Sequence, residues 1–354
     1  ELEPRLSPTF SYVEVPAGAN AVSMDSLSQT VLSRYIGYQL RDIVVEPAAG
    51  RSVIFTIQKG KHDVLAVAVN QYTGRIIKAV DEESRFFTVV LQLHRYLCMG
   101  PTGKAITGVS CCIFLIMVIT GIVLWWPKRN ARKQRLRVKW DASWKRLNWD
   151  LHAVLGFYVH IVIFLIALTG LTWSYQWANN LIFYAFDGKP MNKMTPPKTA
   201  IVKISGSTYL DRVMLRTDSA LTYNGPVRIR FAEKKDQAIT VIKRNYDAAI
   251  DNIASTLYFE AGTGRLVQVR LYENESRGMK VRRLVYPIHT GSLLGWPTKL
   301  LALIAALIAA SLPVTGLYIW LNRKKKPAAK DNKSTRTQSR PVPKDSVSFP
   351  AGIS

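Results

Sequence analysis

Residues 94–125 read HRYLCMGPTGKAITGVSCCIFLIMVITGIVLW, and residues 289–320 read HTGSLLGWPTKLLALIAALIAASLPVTGLYIW. Both give His, five residues, Gly, twenty residues, Gly, three residues, Trp. The first copy places these at His94, Gly100, Gly121 and Trp125, the second at His289, Gly295, Gly316 and Trp320, with Thr120 and Thr315 before the second Gly of each. Each copy carries an uncharged apolar run, 105–126 and 300–320, and a third run spans 151–175. A helix needs about 20 such residues to cross the hydrocarbon core of a bilayer. Trp and Tyr gather near the ends of the runs, as an interfacial belt requires.

The charge fixes the direction of these spans. The net charge is +24. Residues 127–146 hold nine basic and one acidic side chain, and residues 321–354 hold nine basic and two acidic, so +8 and +7 of the total lie directly against the spans. This is the positive-inside pattern, which places the 127–148 loop and the C-terminal tail (323–354) in the cytoplasm. Attraction to anionic membrane lipid accounts for the same charge. Nucleic acid is excluded as a partner because no binding fold accompanies it.

Three spans with the C-terminus inside put residue 1 outside. The chain opens at ELEPRLSP without signal peptide or start methionine, so a cleaved signal or a further helix is expected upstream. Residues 1–90 form a first outer module: a helix over 24–37, then the alternating runs LRDIVVEP, SVIFTIQ, DVLAVAVN and QYTGRIIKAV. Residues 179–286 form a second, with GPVRIRFA, QAITVIKRN and STLYFEAGTGRLVQVRLY. Tyr72-Thr73-Gly74-Arg75 and Gly262-Thr263-Gly264-Arg265 repeat one strand–turn signal, each ahead of a histidine-headed span. The expected order is therefore module 1–90, span 91–126, basic loop 127–148, span 149–178, module 179–286, span 287–322 and a disordered tail 323–354. The fold class is a membrane helical bundle with an outward α+β domain.

The repeat puts His94 and His289 at one depth on parallel helices. Haem iron takes axial ligands on both faces of its ring, and in a bundle these come from facing helices. Intramembrane ionisable residues are costly and usually functional, so this pair is expected to ligate haem b from two sides. No CxxCH occurs among Cys98, Cys111 and Cys112, which excludes c-type attachment. His152, at the start of the oppositely directed middle span, sits on the cytoplasmic side as a ligand of a second haem and needs a partner. His160 lies about 12 Å further along the same helix, and two residues of one helix at that spacing cannot bind the two faces of one haem. His160 hydrogen-bonds another helix, lines an electron or proton path, or ligates. Arg95 and Arg283, near the outer histidines, pair with haem propionates or contact lipid headgroups. The span glycines serve close helix packing or clearance for a flat macrocycle. His62 is an exposed turn residue. No phosphate-cradling, HExxH or Ser-His-Asp arrangement is present.

YTGRI, LHRYL and TGIVLWWPKR, NWDLHAVLGFY with LTGLTW, and PIHTGSLLGWP with VTGLYIWL resemble the PepSY-associated transmembrane protein family over about 1–325. Within it the chain is similar to inner-membrane ferric-siderophore reductases of the FoxB type. The resemblance implies PepSY-like periplasmic modules and a further N-terminal helix carrying a histidine near its cytoplasmic end, which this sequence does not include. It also implies two haems, or at least one, and an oxidoreductase of iron uptake. Electrons from quinol or a cytoplasmic reductase would reach a periplasmic ferric siderophore of hydroxamate type and release iron as Fe(II). Tyr96, Tyr286 and Trp296 are candidate contacts at the outer face. A non-enzymatic binding or signalling role and haem handling are the other readings.

Overall fold

The computed structural model describes residues 5, 7–60, 62–126, 136–192, 194–200, 208–234, 236–250 and 252–323. Part of the expected basic loop (127–135) and the tail from 324 onward lie outside them. After a short helix α1 (Pro8–Ser11), helix α2 (Met24–Arg34) packs Leu27 and Val31 into the core, one turn apart. The strands β1 (Gln39–Val45), β2 (Val53–Lys59), β3 (Asp63–Val69) and β4 (Ile76–Asp81) follow as an antiparallel meander. Alternation decides which face is covered. Val53, Phe55 and Ile57 of β2 are fully buried while Ile54, Thr56 and Gln58 are only partly so.

Two helices come next, α3 (Phe86–Tyr96) and α4 (Gly100–Trp125), then α5 (Trp144–Ser174) and α6 (Gln176–Asp187). The module then repeats: α7 (Tyr209–Ala220), β5 (Val227–Arg230), β6 (Ile239–Arg244), β7 (Ala254–Phe259) and β8 (Leu266–Arg270). The chain continues into α8 (Arg277–Thr290) and α9 (Trp296–Leu321). The twin turns close alike. Gly74 N–H donates to the Asn70 carbonyl (2.9 Å) and Gly264 N–H to that of Glu260 (3.1 Å), each glycine at positive φ.

The two modules form one sheet of eight strands in the order β4-β3-β2-β1-β5-β6-β7-β8. Its seam is the antiparallel pair β1–β5, with Asp42 opposite Arg230 and Ile43 opposite Ile229. One core lies under α2 and α7 and runs across the seam, from Phe55 to Phe259. Each such fully buried side chain contributes about 1.5–3 kcal/mol. The helix N-termini exchange caps. Met24 N–H donates to the Asp211 carboxylate (2.7 Å), and Asp211 N–H donates to that of Asp25 (3.0 Å). Burial pushes the Asp25 carboxyl above its usual range, and burial pushes the Tyr209 hydroxyl to about 12.

Helices α4, α5 and α9 are long and apolar enough to cross a membrane. α4 and α5 run antiparallel: Cys111 donates to the Ala167 carbonyl, and Trp125 stacks on Phe157 at 4.1 Å. Two sequence expectations are corrected. The stretches 91–126 and 287–322 are not single helices. The first breaks at Leu97, Cys98 and Gly100, all at positive φ, and the second between Gly291 and Gly295. Each histidine therefore sits on a short helix ahead of the span, not on the span. The middle helix begins at Trp144 rather than 149, and Leu151–Leu155 is a single π-turn containing His152. Such turns are frequent at functional sites.

Candidate functional site

The first short helix folds back along the span that follows it, whereas α8 lies against α5 and α6 and meets its own span mainly at the Gly291 turn. In the first hairpin Thr107 Oγ1 donates to the Arg95 carbonyl (2.9 Å). Gly103 lies so close under Tyr96 that a Cβ would fall 1.6 Å from its carbonyl oxygen, so only glycine fits. In the second, Gly291 lies against Thr298 and Ala302. The start of α8 is pinned by Asp187, which accepts from Ser276 Oγ (2.6 Å) and Gly278 N–H (2.8 Å). These bonds, the serine's foremost, hold its carboxyl below the usual range.

The two hairpins bring His94 and His289 together. Their ring centres lie 6.1 Å apart with the planes tilted by 52°. His289 Nδ1 stands 2.8 Å from the Ile166 carbonyl and 3.2 Å from Thr169 Oγ1 on α5. A carbonyl only accepts, so Nδ1 carries the proton and Nε2 is a bare donor. Trp173 meets the His289 ring edge-on at 5.0 Å. The pair opens on a cavity of about 490 Å³ with a mostly apolar lining that includes Phe114, Ile163, Ala167, Trp173, Ala306 and Ala309. This volume lies within the range for small-molecule and cofactor sites. Among the described residues no group of three or more His, Cys, Asp or Glu side chains converges to hold a bare ion.

The residues fit a haem. A metal–imidazole bond of about 2.0–2.1 Å plus about 1.1 Å from nitrogen to ring centre, doubled, gives about 6.3 Å between the centres of two axial imidazoles. The observed spacing agrees. A two-donor site also suits a metal whose other positions are filled by its own macrocycle.

At the other end of α5, His152 Nδ1 stands 2.8 Å from Thr315 Oγ1 of α9. Fourteen residues separate His152 from Ile166, about 21 Å of helix. His160 turns Nδ1 to the carbonyl of Phe157 on its own helix and stacks on that ring, which stacks in turn on Trp125. His62 is exposed, 4.0 Å from Glu83.

The cations divide differently from the sequence expectation. Arg95 lines the cavity and lies over the Tyr96 ring, and Tyr286 lines it too. Arg283 is not among the lining residues. It grips Glu275, Nε to Oε2 at 2.7 Å with a second bond from Nη2, so its guanidinium is committed to an ion pair away from the cavity. Sequence reading passed over Lys104, which lines the cavity, and Arg282. Arg282 lies over Trp173 and donates to Asn179. It precedes His289 by seven residues, which sets both on one helix face, and that spacing was its only signal. Trp296 is 70% exposed at the start of α9.

Three spans beside a duplicated antiparallel sheet, with one imidazole from each half of the duplication meeting at the sheet end, define a membrane protein with a paired-histidine site. The chain belongs to the family described as PepSY-associated TM region, whose model matches residues 1–323. No curated protein matches it in sequence.

Proposed function

We propose that the chain is a haem-containing inner-membrane reductase that passes electrons to a periplasmic ferric siderophore. The observation that carries this reading is the meeting of His94 and His289 at 6.1 Å over an apolar cavity. His94 and His289 would hold one haem, with Arg95 and Lys104 near its carboxylates, and His152 would hold a second at the cytoplasmic end. Bound there, haem supplies one-electron chemistry. The protein's own part is to orient two imidazoles, to keep water from the cavity with Phe114 and Trp173, and to offer a docking face. The electron comes from quinol or a cytoplasmic reductase. Siderophore-bound Fe(III) takes it up to become Fe(II), which the chelator holds weakly and releases. The family resemblance supports this choice of acceptor.

The test is the absorption spectrum of the full chain purified from haem-replete cells. A bis-imidazole haem b spectrum, oxidised on adding a ferric hydroxamate siderophore, is expected, and His289→Ala should remove the sheet-end haem and the oxidation together. Protein free of haem would refute the reading. Haem that ferric siderophore leaves reduced would point to haem handling.

A further inference from the structure

We propose that the Thr-Gly steps of the spans are imidazole cradles: Thr169-Gly170 on α5 presents His289, and Thr315-Gly316 on α9 presents His152, each with the proton on Nδ1 and Nε2 left bare. The inference rests on reading these histidines as metal ligands and names the residues that position them.

The two steps match in detail. The histidine comes in each case from a different helix, from α8 onto α5 and from α5 onto α9. Nδ1 lies 3.2 Å from Thr169 Oγ1 and 2.8 Å from Thr315 Oγ1. A Cβ on Gly170 would stand 3.3 Å from His289 Cε1 and 3.8 Å from Nδ1. On Gly316 it would stand 3.2 Å and 3.8 Å from the same atoms of His152. Glycine lets the ring lie flat against the helix, and the preceding threonine meets its nitrogen.

The threonine, together with a carbonyl of its own helix (Ile166 or Leu312), also decides which nitrogen is protonated. A hydroxyl has one proton. Thr169 Oγ1 donates it to its own helix, at the Leu165 carbonyl (2.7 Å) or that of Ile166, and Thr315 Oγ1 to the Ser311 (3.0 Å) or Leu312 (3.1 Å) carbonyl. Each oxygen then faces the imidazole as an acceptor only, so Nδ1 must be the donor. An N–H bond at the far nitrogen fixes the ring and raises the basicity of the ligating one, and losing such a partner typically weakens metal binding about 10–100-fold. The steps match in their second partner as well: the Ile166 carbonyl stands 2.8 Å from His289 Nδ1, and the Leu312 carbonyl accepts from the His152 ring.

The test uses the full chain in detergent with ¹⁵N-labelled histidine, before and after haem loading. In the haem-free protein His152 and His289 should both show the Nδ1–H tautomer. Thr315→Val should leave the Leu312 carbonyl to hold the proton, yet move the His152 nitrogen shifts and cut haem retention at the far-end site about tenfold, and Thr315→Ser should restore both. Thr169→Val should act on His289 and the sheet-end site in the same way. Ser311→Ala, one turn from Thr315 on the same helix, should change neither. An Nε2–H tautomer in the unaltered protein, or Thr315→Val with unchanged nitrogen shifts, would overturn the cradle. Nδ1–H tautomers in a protein that takes up no haem would uphold the cradle and sink the reading of function instead.

Discussion

Replacing Gly291 by alanine should damage the histidine site from two residues away. Gly291 stands at φ +73, and a Cβ there would lie 2.5 Å from Ala302 Cβ and 2.6 Å from the Thr298 carbonyl oxygen. Ordinary contact begins at 3.4 Å. The arms of the α8–α9 hairpin must therefore separate by 3.4 − 2.6 = 0.8 Å at the carbonyl and 3.4 − 2.5 = 0.9 Å at Ala302. Left-handed backbone costs an L-residue about 1–2 kcal/mol, and overpacking adds about 1–3 kcal/mol. Gly188 supplies the control. It has φ +68 at the end of α6 with nothing within 4 Å of its Cβ, so Gly188→Ala bears only the backbone cost. A binding constellation tolerates about 0.5 Å of displacement, less than the hairpin must yield, so the 6.1 Å ring spacing should not survive. Thermal unfolding in detergent should show Gly291→Ala losing about 2–5 kcal/mol and Gly188→Ala about 1–2 kcal/mol. Only Gly291→Ala should release the sheet-end haem. Equal behaviour of the two variants in stability and haem retention would refute the reasoning.

Two further outcomes follow from groups outside the spans. The folded-state pKa of Asp25 is raised, so its contribution to stability is fully present below the unfolded value of 3.8 and is lost as pH rises through the folded value. Asp25→Asn keeps an acceptor for Asp211 N–H and should match or exceed the parent in stability at pH 7. That advantage should vanish below pH 3.8, as read by melting temperature across the range. Arg283→Ala leaves the buried Glu275 carboxylate unpaired and should cost about 2–3 kcal/mol, below the range for a fully buried pair because Arg283 retains 20% exposure. Its haem spectrum should stay that of the parent; a lost sheet-end haem would return Arg283 to the site.

Much of the architecture was legible because it rests on local periodicity. Alternation in SVIFTIQ and DVLAVAVN marks β2 and β3, and the unbroken apolar runs mark α4, α5 and α9. The matched spacing of His94 and His289 also foretold that they share a level. The break after Tyr96 was harder, because Leu97, Cys98 and Met99 carry the apolar run up to Gly100-Pro101, while Gly291 and Gly295-Trp296-Pro297 mark the one after Thr290. The β1–β5 seam had no local signal, since it joins strands more than 180 residues apart. Arg283 misled because closeness in sequence to His289 says nothing about Glu275, eight residues back and ready to hold it. Thr120 and Thr315 looked equivalent, yet only Thr315 meets a histidine among the described residues.

The seam at β1–β5 also acts at a distance. The outermost strands, β4 and β8, are the ones that run on into the histidine-bearing helices α3 and α8. Seven inter-strand gaps of about 4.8 Å set those edges about 34 Å apart, while the imidazole centres they lead to are 6.1 Å apart. The molecule is thus built like a pair of dividers, two legs descending from a wide span to nearly touching points, with the seam as the pivot. The sheet spreads the legs, and the bundle closes the points, where His289 rests on Ile166 and Thr169 of α5.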